Sequence, residues 1–196
     1  DEDLRADRQP DFTQIDVETS FLNQDQIITL GEGLISNIFK KVINYDVKLP
    51  LRRIDYTEAV NKYGSDKPDT RYTLHLTDIK DIVGNTEFQA YKENKYVKGI
   101  KVEGFAKELS RKKQEKLNLI APKFGMKQFG YFKYENDTLE GSLVKFFNEE
   151  VIAKLVERFE LKNGDALIVG TTNILRDLNF GLGALRTTLA KELNLV

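Results

Sequence analysis

Between residues 12 and 21 apolar and polar side chains alternate with a period of two, the pattern of a half-buried strand. One face would hold Thr13, Ile15, Val17, Thr19 and Phe21; the other would hold Phe12, Gln14, Asp16, Glu18 and Ser20. The period then changes. Asn23 is a suitable N-cap, and Ile27, Leu34, Ile35, Ile38, Phe39 and Val42 recur at three and four residues, which predicts an amphipathic helix. The apolar face of the strand is expected to back onto that helix, leaving the polar face open to a site. Gly31 and Gly33 each cost a helix up to about 1 kcal/mol, so a close neighbour is expected there. After Pro50 a short strand is predicted over residues 51–56 and a short helix over 57–63. The run Gly64-Ser65-Asp66-Lys67-Pro68-Asp69 is a turn cluster and the expected domain boundary.

Beyond it strands and helices interleave without a regular βαβ period, the signature of α+β architecture. Strands are predicted over 97–102, 129–134 and 166–169. Ser110 should cap a helix reaching to about Pro122. Asn148 should cap another through Val151, Ile152, Leu155 and Phe159, closed by Asn163-Gly164, and a last helix is predicted over 175–193.

Composition narrows the chemistry. The 196 residues contain no cysteine and one histidine, His75, which excludes disulfides, cysteine-ligated metals, a thiol nucleophile and multi-histidine sites. No apolar run approaches the roughly 18 residues of a membrane helix, and no signal-peptide pattern is present, so a cytoplasmic location without a membrane partner is expected. The net charge of −1 hides an uneven distribution. Residues 1–20 carry seven acids and two bases; residues 100–133 carry nine bases and three acids. The basic run Lys107, Arg111, Lys112, Lys113 and Lys116 reads either as a solvated helix face or as a surface for RNA phosphates. Asp16 and Glu18 alone do not make a metal site, and no metal ligands are expected. Asp1-Glu2-Asp3, with no methionine, suggests a piece cut from a longer chain.

The opening Asp1-Glu2-Asp3-Leu4-Arg5-Ala6-Asp7-Arg8-Gln9-Pro10-Asp11-Phe12-Thr13-Gln14-Ile15-Asp16 resembles motif 2 of class II aminoacyl-tRNA synthetases of the bacterial aspartyl type. Tyr63-Gly64-Ser65-Asp66-Lys67-Pro68-Asp69, Ser110-Arg111-Lys112 and Gly183-Ala184-Leu185-Arg186 look like the same family. The latter two lie in a region similar to the GAD-type domain inserted between motifs 2 and 3. The resemblance therefore implies an α+β fold in two parts. Residues 1–69 would be part of the antiparallel-sheet catalytic domain, and residues 70–196 the insertion domain.

The family joins aspartate to ATP, giving aspartyl-adenylate, and transfers aspartyl to tRNA. That chemistry rests on positioning and electrostatic stabilisation rather than on a protein nucleophile. The resemblance places Asp1, Glu2, Gln9 and Phe12 at ATP. Glu2 resembles the acid at the adenine end, Gln9 an ATP-contacting amide and Phe12 the aromatic on which adenine stacks. Gln14 and Asp16 fall at the aspartate, Asp16 near its ammonium, where a carboxylate pairs naturally. Arg5 and Arg8 lie in the loop used against the tRNA acceptor end. The implied substrates are ATP with Mg²⁺, L-aspartate and tRNA(Asp), with no prosthetic group, and the intact parent would be a homodimer.

The family's motif 2 arginine would stand just before Asp1, and motifs 1 and 3 and the anticodon-binding barrel are not in the sequence. The expectation is an inactive piece of an active aspartate–tRNA ligase. Two alternatives stand beside it: a non-discriminating ligase that also charges asparagine tRNA, and a non-catalytic tRNA- or partner-binding module derived from the insertion. An amidotransferase subunit is disfavoured, because it has no reason to carry the motif 2 run.

Overall fold

A computed structural model describes residue 9 and residues 11–196. The chain divides into two compact units, Asp1–Arg53 and Ile54–Val196. The packing division thus falls after Arg53, ahead of the expected break after Asp69.

The first unit is built on helix α1, Gln24–Ile43. Its start is a capping box: the Asn23 side chain accepts from the Gln26 N–H at 3.0 Å, and the Gln26 side chain accepts from the Asn23 N–H at 2.9 Å. Asn44 closes it in the left-handed region. Glu32 is the one buried residue of α1, and its carboxylate accepts from the Leu51 N–H at 2.9 Å. The helix is where the periodicity puts it, but Ile27, Leu34, Ile35, Ile38, Phe39 and Val42 remain exposed. Nothing lies within 4 Å of a Cβ built on Gly31 or Gly33, so the close neighbour expected there is absent among the described residues.

The strand expected over residues 12–21 does not form, nor does the one expected over 51–56. Ile15, Val17 and Phe21 are exposed, Phe21 completely at 102%, so the expected clamp onto α1 is not made. The physical reason is pairing. A strand needs a neighbour to take its backbone N–H and C=O groups, and the described residues of this unit offer none. Phe21, at φ 60°, also turns the backbone out of the extended region just where the strand was to end.

The second unit opens with α2, Tyr56–Glu58, capped by Asp55 and running into one π-helical turn, Ala59–Tyr63. It continues through β1 (Thr77–Asp78), α3 (Lys80–Val83), α4 (Gln89–Glu93), β2 (Tyr96–Val102) and α5 (Arg111–Asn118). After these come β3 (Gly130–Glu135), β4 (Thr138–Glu140), α6 (Glu149–Phe159), β5 (Asp165–Thr172) and α7 (Leu175–Glu192). The helix capped by Ser110 ends at Asn118, short of Pro122, which stands instead in a separate 3₁₀ turn, Ala121–Phe124.

All strand pairs are antiparallel, in the order β1-β2-β5-β3-β4. The register places Ile100 and Tyr131 on either side of Ile168, in one row across the sheet. That row joins Leu178, Leu182, Leu185 and Leu189 of α7 in one core. The alternate residues Leu167, Val169, Val97 and Phe132 join Leu155 and Phe159 of α6 in a second core on the opposite face. Each such side chain contributes roughly 1.5–3 kcal/mol of burial free energy. Because β5 is covered on both faces, its sequence reads as a continuous apolar run rather than an alternation.

Candidate functional site

Asp1, Glu2, Arg5 and Arg8 lie outside the described residues, so the expected ATP acids and acceptor-end arginines have no described geometry. Gln9, Phe12, Gln14 and Asp16 are described, and all four are exposed. Phe12, 68% exposed, is not a core residue of this chain. Gln14 Nε2 donates to Asp16 Oδ1 at 3.0 Å, so this pair of side chains meets even without a sheet to set the face. The segment presents an aromatic ring, an amide and a carboxylate within five residues, a set suited to stacking, hydrogen bonding and pairing with an ammonium. No group of three or more histidine, aspartate or glutamate side chains among the described residues is arranged to hold a metal ion.

A second constellation joins segments that lie far apart in sequence. Gly64 closes the π turn at φ 70°, and its backbone lies against Gly183 of α7. A Cβ on Gly64 would stand 2.5 Å from the Gly183 Cα, and a Cβ on Gly183 would stand 2.7 Å from the Gly64 carbonyl carbon, so neither position has room for a side chain. One turn along α7, Arg186 is 2% exposed. Its Nε donates to the Leu74 carbonyl at 3.1 Å, and its Nη2 donates to the Asp69 and Tyr72 carbonyls at 2.7 and 3.0 Å. The guanidinium also sits over the rings of Tyr72 and Tyr63, 3.9 and 5.2 Å from their centres. Burial works against its charge, while Tyr72, Asp69 and Tyr63 favour it. Thus the 63–69 turn and the 183–186 stretch, separate in sequence, form one packed joint.

Beside it Lys98 on β2 is 5% exposed and donates to three acceptors: the Asn61 carbonyl and side-chain oxygens at 3.1 and 3.3 Å, and Asn179 Oδ1 at 2.8 Å. Burial lowers its pKa and the Asp78 charge opposes that shift. His75, half buried, packs edge-on against Tyr63 with ring centres 5.3 Å apart. Sequence reasoning missed Lys98, Asn61 and Asn179. Their only sequence signal was polarity inside otherwise apolar elements, and that signal does not name partners.

The basic run on α5 is largely used within the protein. Lys113 and Lys116 both bind Glu192 of α7, at 2.9 and 2.5 Å, and Arg111 pairs with Glu115 at 3.1 Å. Hydrogen bonding from Lys116 holds the Glu192 carboxyl below its ordinary pKa. Lys107 and Lys112 make no ion pair among the described residues.

A family model described as class II tRNA synthetases (D, K and N) matches residues 1–172. Over its whole length the chain is 44% identical to the aspartate–tRNA(Asp/Asn) ligase of Bacillus subtilis and 46% identical to that of Persephonella marina, covering 34% and 33% of those proteins. It is 43% identical to the aspartate–tRNA ligase of Streptococcus agalactiae, again over the whole chain and 33% of that protein. The chain therefore spans about a third of the length of the curated relatives it matches.

Proposed function

Because the chain belongs to the class II tRNA synthetases of the D, K and N group, we propose that it works as part of an aspartate–tRNA ligase. The full-length protein would activate L-aspartate with ATP and Mg²⁺ to aspartyl-adenylate, release pyrophosphate, and pass the aspartyl group to tRNA. The whole reaction is assigned to that protein, which we take to be a cytoplasmic homodimer, rather than to these 196 residues. Among the described residues no helix is long and apolar enough to cross a membrane.

The observation that carries this proposal is similarity over the full length of the chain, at 43–46% identity, to ligases of this one amino acid. The exposed opening segment supports it locally. Phe12 offers a free ring for adenine, Gln9 an amide for ATP, and Asp16, steadied by Gln14, a carboxylate for the substrate ammonium. Asp1 and Glu2 are assigned to ATP, and Arg5 and Arg8 to the tRNA acceptor end, on the resemblance of their motif alone. By the same resemblance residues 1–69 belong to the catalytic domain and 70–196 to an insertion domain. On this proposal that boundary marks kinship, while the packing boundary stands at Arg53.

A second reading, a non-discriminating ligase, is favoured by relatives named for tRNA(Asp/Asn) at 44% and 46% identity. Pyrophosphate exchange by the full-length protein that contains this chain tests the activity. Exchange that requires aspartate, followed by charging of tRNA(Asp), is expected; exchange driven by another amino acid would contradict it. Charging of tRNA(Asn) with aspartate by the same preparation separates the two readings.

A further inference from the structure

Asn163-Gly164, the only asparagine–glycine step in the sequence, lies in the turn between α6 and β5. Asn163 is exposed, and an open cavity of about 430 Å³ lined by Asn163, Gly164 and Lys107 brings water to it. Such a step is chemically labile, because glycine has no side chain to keep its backbone nitrogen away from the asparagine amide carbon. That nitrogen can give up its proton to solvent and bond to Cγ; the Cγ–Nδ2 bond then breaks and ammonia leaves with a proton. Water opens the resulting cyclic imide at either carbonyl, giving aspartate or isoaspartate.

The fold ties down the groups this reaction needs. The Gly164 N–H donates to the Tyr134 carbonyl at 2.7 Å, at the end of the β3–β5 ladder beside the Tyr134–Asp165 pair. Asn163 Oδ1 accepts from the Asp137 N–H at 2.8 Å, and Asn163 Nδ2 donates to the Asp137 carboxylate at 3.0 Å. Asp137 stands at φ 58° in the hairpin turn between β3 and β4. The flanking groups are held as well. The Gly164 carbonyl accepts from the Ala106 N–H at 2.9 Å, and the Asp165 carboxylate accepts from the Gly104 and Lys162 N–H groups at 3.0 and 2.9 Å. Exposure and reactivity therefore part here: water reaches the amide, but the nitrogen cannot bond to Cγ until the Tyr134 and Asp137 contacts open.

We propose that Asn163 is a site of spontaneous deamidation that the fold latches shut, with Asp137 and the Tyr134 carbonyl as the latch. Modification then waits on local opening of the turn and not on access of water. The product does not close the latch again. Loss of Nδ2 removes the donor to Asp137 and sets a second carboxylate beside the first, and isoaspartate also reroutes the backbone through Cβ. The 162–165 turn joins the β3–β4 hairpin to the 104–106 segment and to β5, so deamidation loosens that hairpin. The inference rests on the second unit alone and stands apart from the ligase proposal.

The test is incubation of the folded chain at mildly alkaline pH beside the same chain unfolded in denaturant. Peptide mass spectrometry reads aspartate and isoaspartate at position 163. The folded chain should lose the amide at least about tenfold more slowly, and its Gly164 N–H should be slow in hydrogen exchange. Asp137→Ala should speed the loss in the folded chain about tenfold. Asp137→Asn, which keeps an acceptor for Nδ2, should stay close to the unsubstituted chain. Asn163→Asp, which puts the product in place, should lower the thermal midpoint. Equal rates in the folded and unfolded chains, or fast exchange of the Gly164 N–H, would overturn the proposal. So would a folded-state rate that Asp137→Ala leaves unchanged, or an Asn163→Asp midpoint equal to that of the unsubstituted chain.

Discussion

The guanidinium carbon of Arg186 lies 3.9 Å from the centre of the Tyr72 ring, and its Nη2 donates to the Tyr72 carbonyl at 3.0 Å. One side chain of α7 thereby fixes both the ring and the backbone of a segment more than a hundred residues earlier. Lysine cannot replace it, since an ammonium has neither the planar fork nor the stacking face. Arg186→Lys should therefore lower the stability of the second unit by about 2–4 kcal/mol, through three carbonyls left short of donors and the loss of stacking. Chemical denaturation followed by circular dichroism measures this, and a change below about 0.5 kcal/mol would show that the joint is not structural.

The glycines make opposite predictions in the two units. Gly183→Ala drives a methyl group into the Gly64 backbone and should cost a few kcal/mol, as overpacking against an unyielding main chain does. Gly31→Ala and Gly33→Ala meet nothing within 4 Å and should each stabilise α1 by up to about 1 kcal/mol. Helicity and unfolding midpoints of the three variants decide the matter.

What could be read from the sequence follows from how local each signal was. Helices α1, α5, α6 and α7 and strands β2, β3 and β5 are patterned, so periodicity and caps such as Asn23, Ser110 and Asn148 place them to within a few residues. Strand β1 has two residues and β4 three, too few for any period. The hairpin before β4 turns on Asn136 and Asp137, both at positive φ, a two-residue signal that was there to be read. The alternation over residues 12–21 predicted a strand because pattern reports which faces could be buried and not whether a neighbouring strand exists. The joint of Gly64, Gly183 and Arg186 was visible only as two separate motifs, because their meeting depends on the sheet that carries α7 back to the turn.

Asp69 offers a pH-dependent check on that turn. Hydrogen bonding from the Arg71 side chain, then from its backbone N–H, lowers the carboxyl from 3.8 to about 2. A folded-state pKa below the unfolded one stabilises the fold above the unfolded value, and that contribution is lost as pH falls from about 4 towards 2. Carbon-detected titration should find Asp69 titrating near 2 in the folded chain. In Arg71→Ala the same carboxyl should return towards its ordinary value. An Asp69 that titrates at 3.8 in both proteins would refute the pairing.

The ligase proposal divides the opening segment by substrate, Phe12 to ATP and Asp16 to aspartate, and steady-state kinetics of the full-length protein test that division most directly. Loss of a stacking ring costs about 1–3 kcal/mol, and loss of a carboxylate from an ammonium pair about 1.5–3 kcal/mol, each worth roughly tenfold or more. With each substrate varied in turn, Phe12→Ala should raise the KM for ATP and leave that for aspartate nearly unchanged. Asp16→Ala should do the reverse. If both substitutions raised the same KM alone, or neither changed any kinetic constant, the assignment of this segment to aspartate activation would be contradicted.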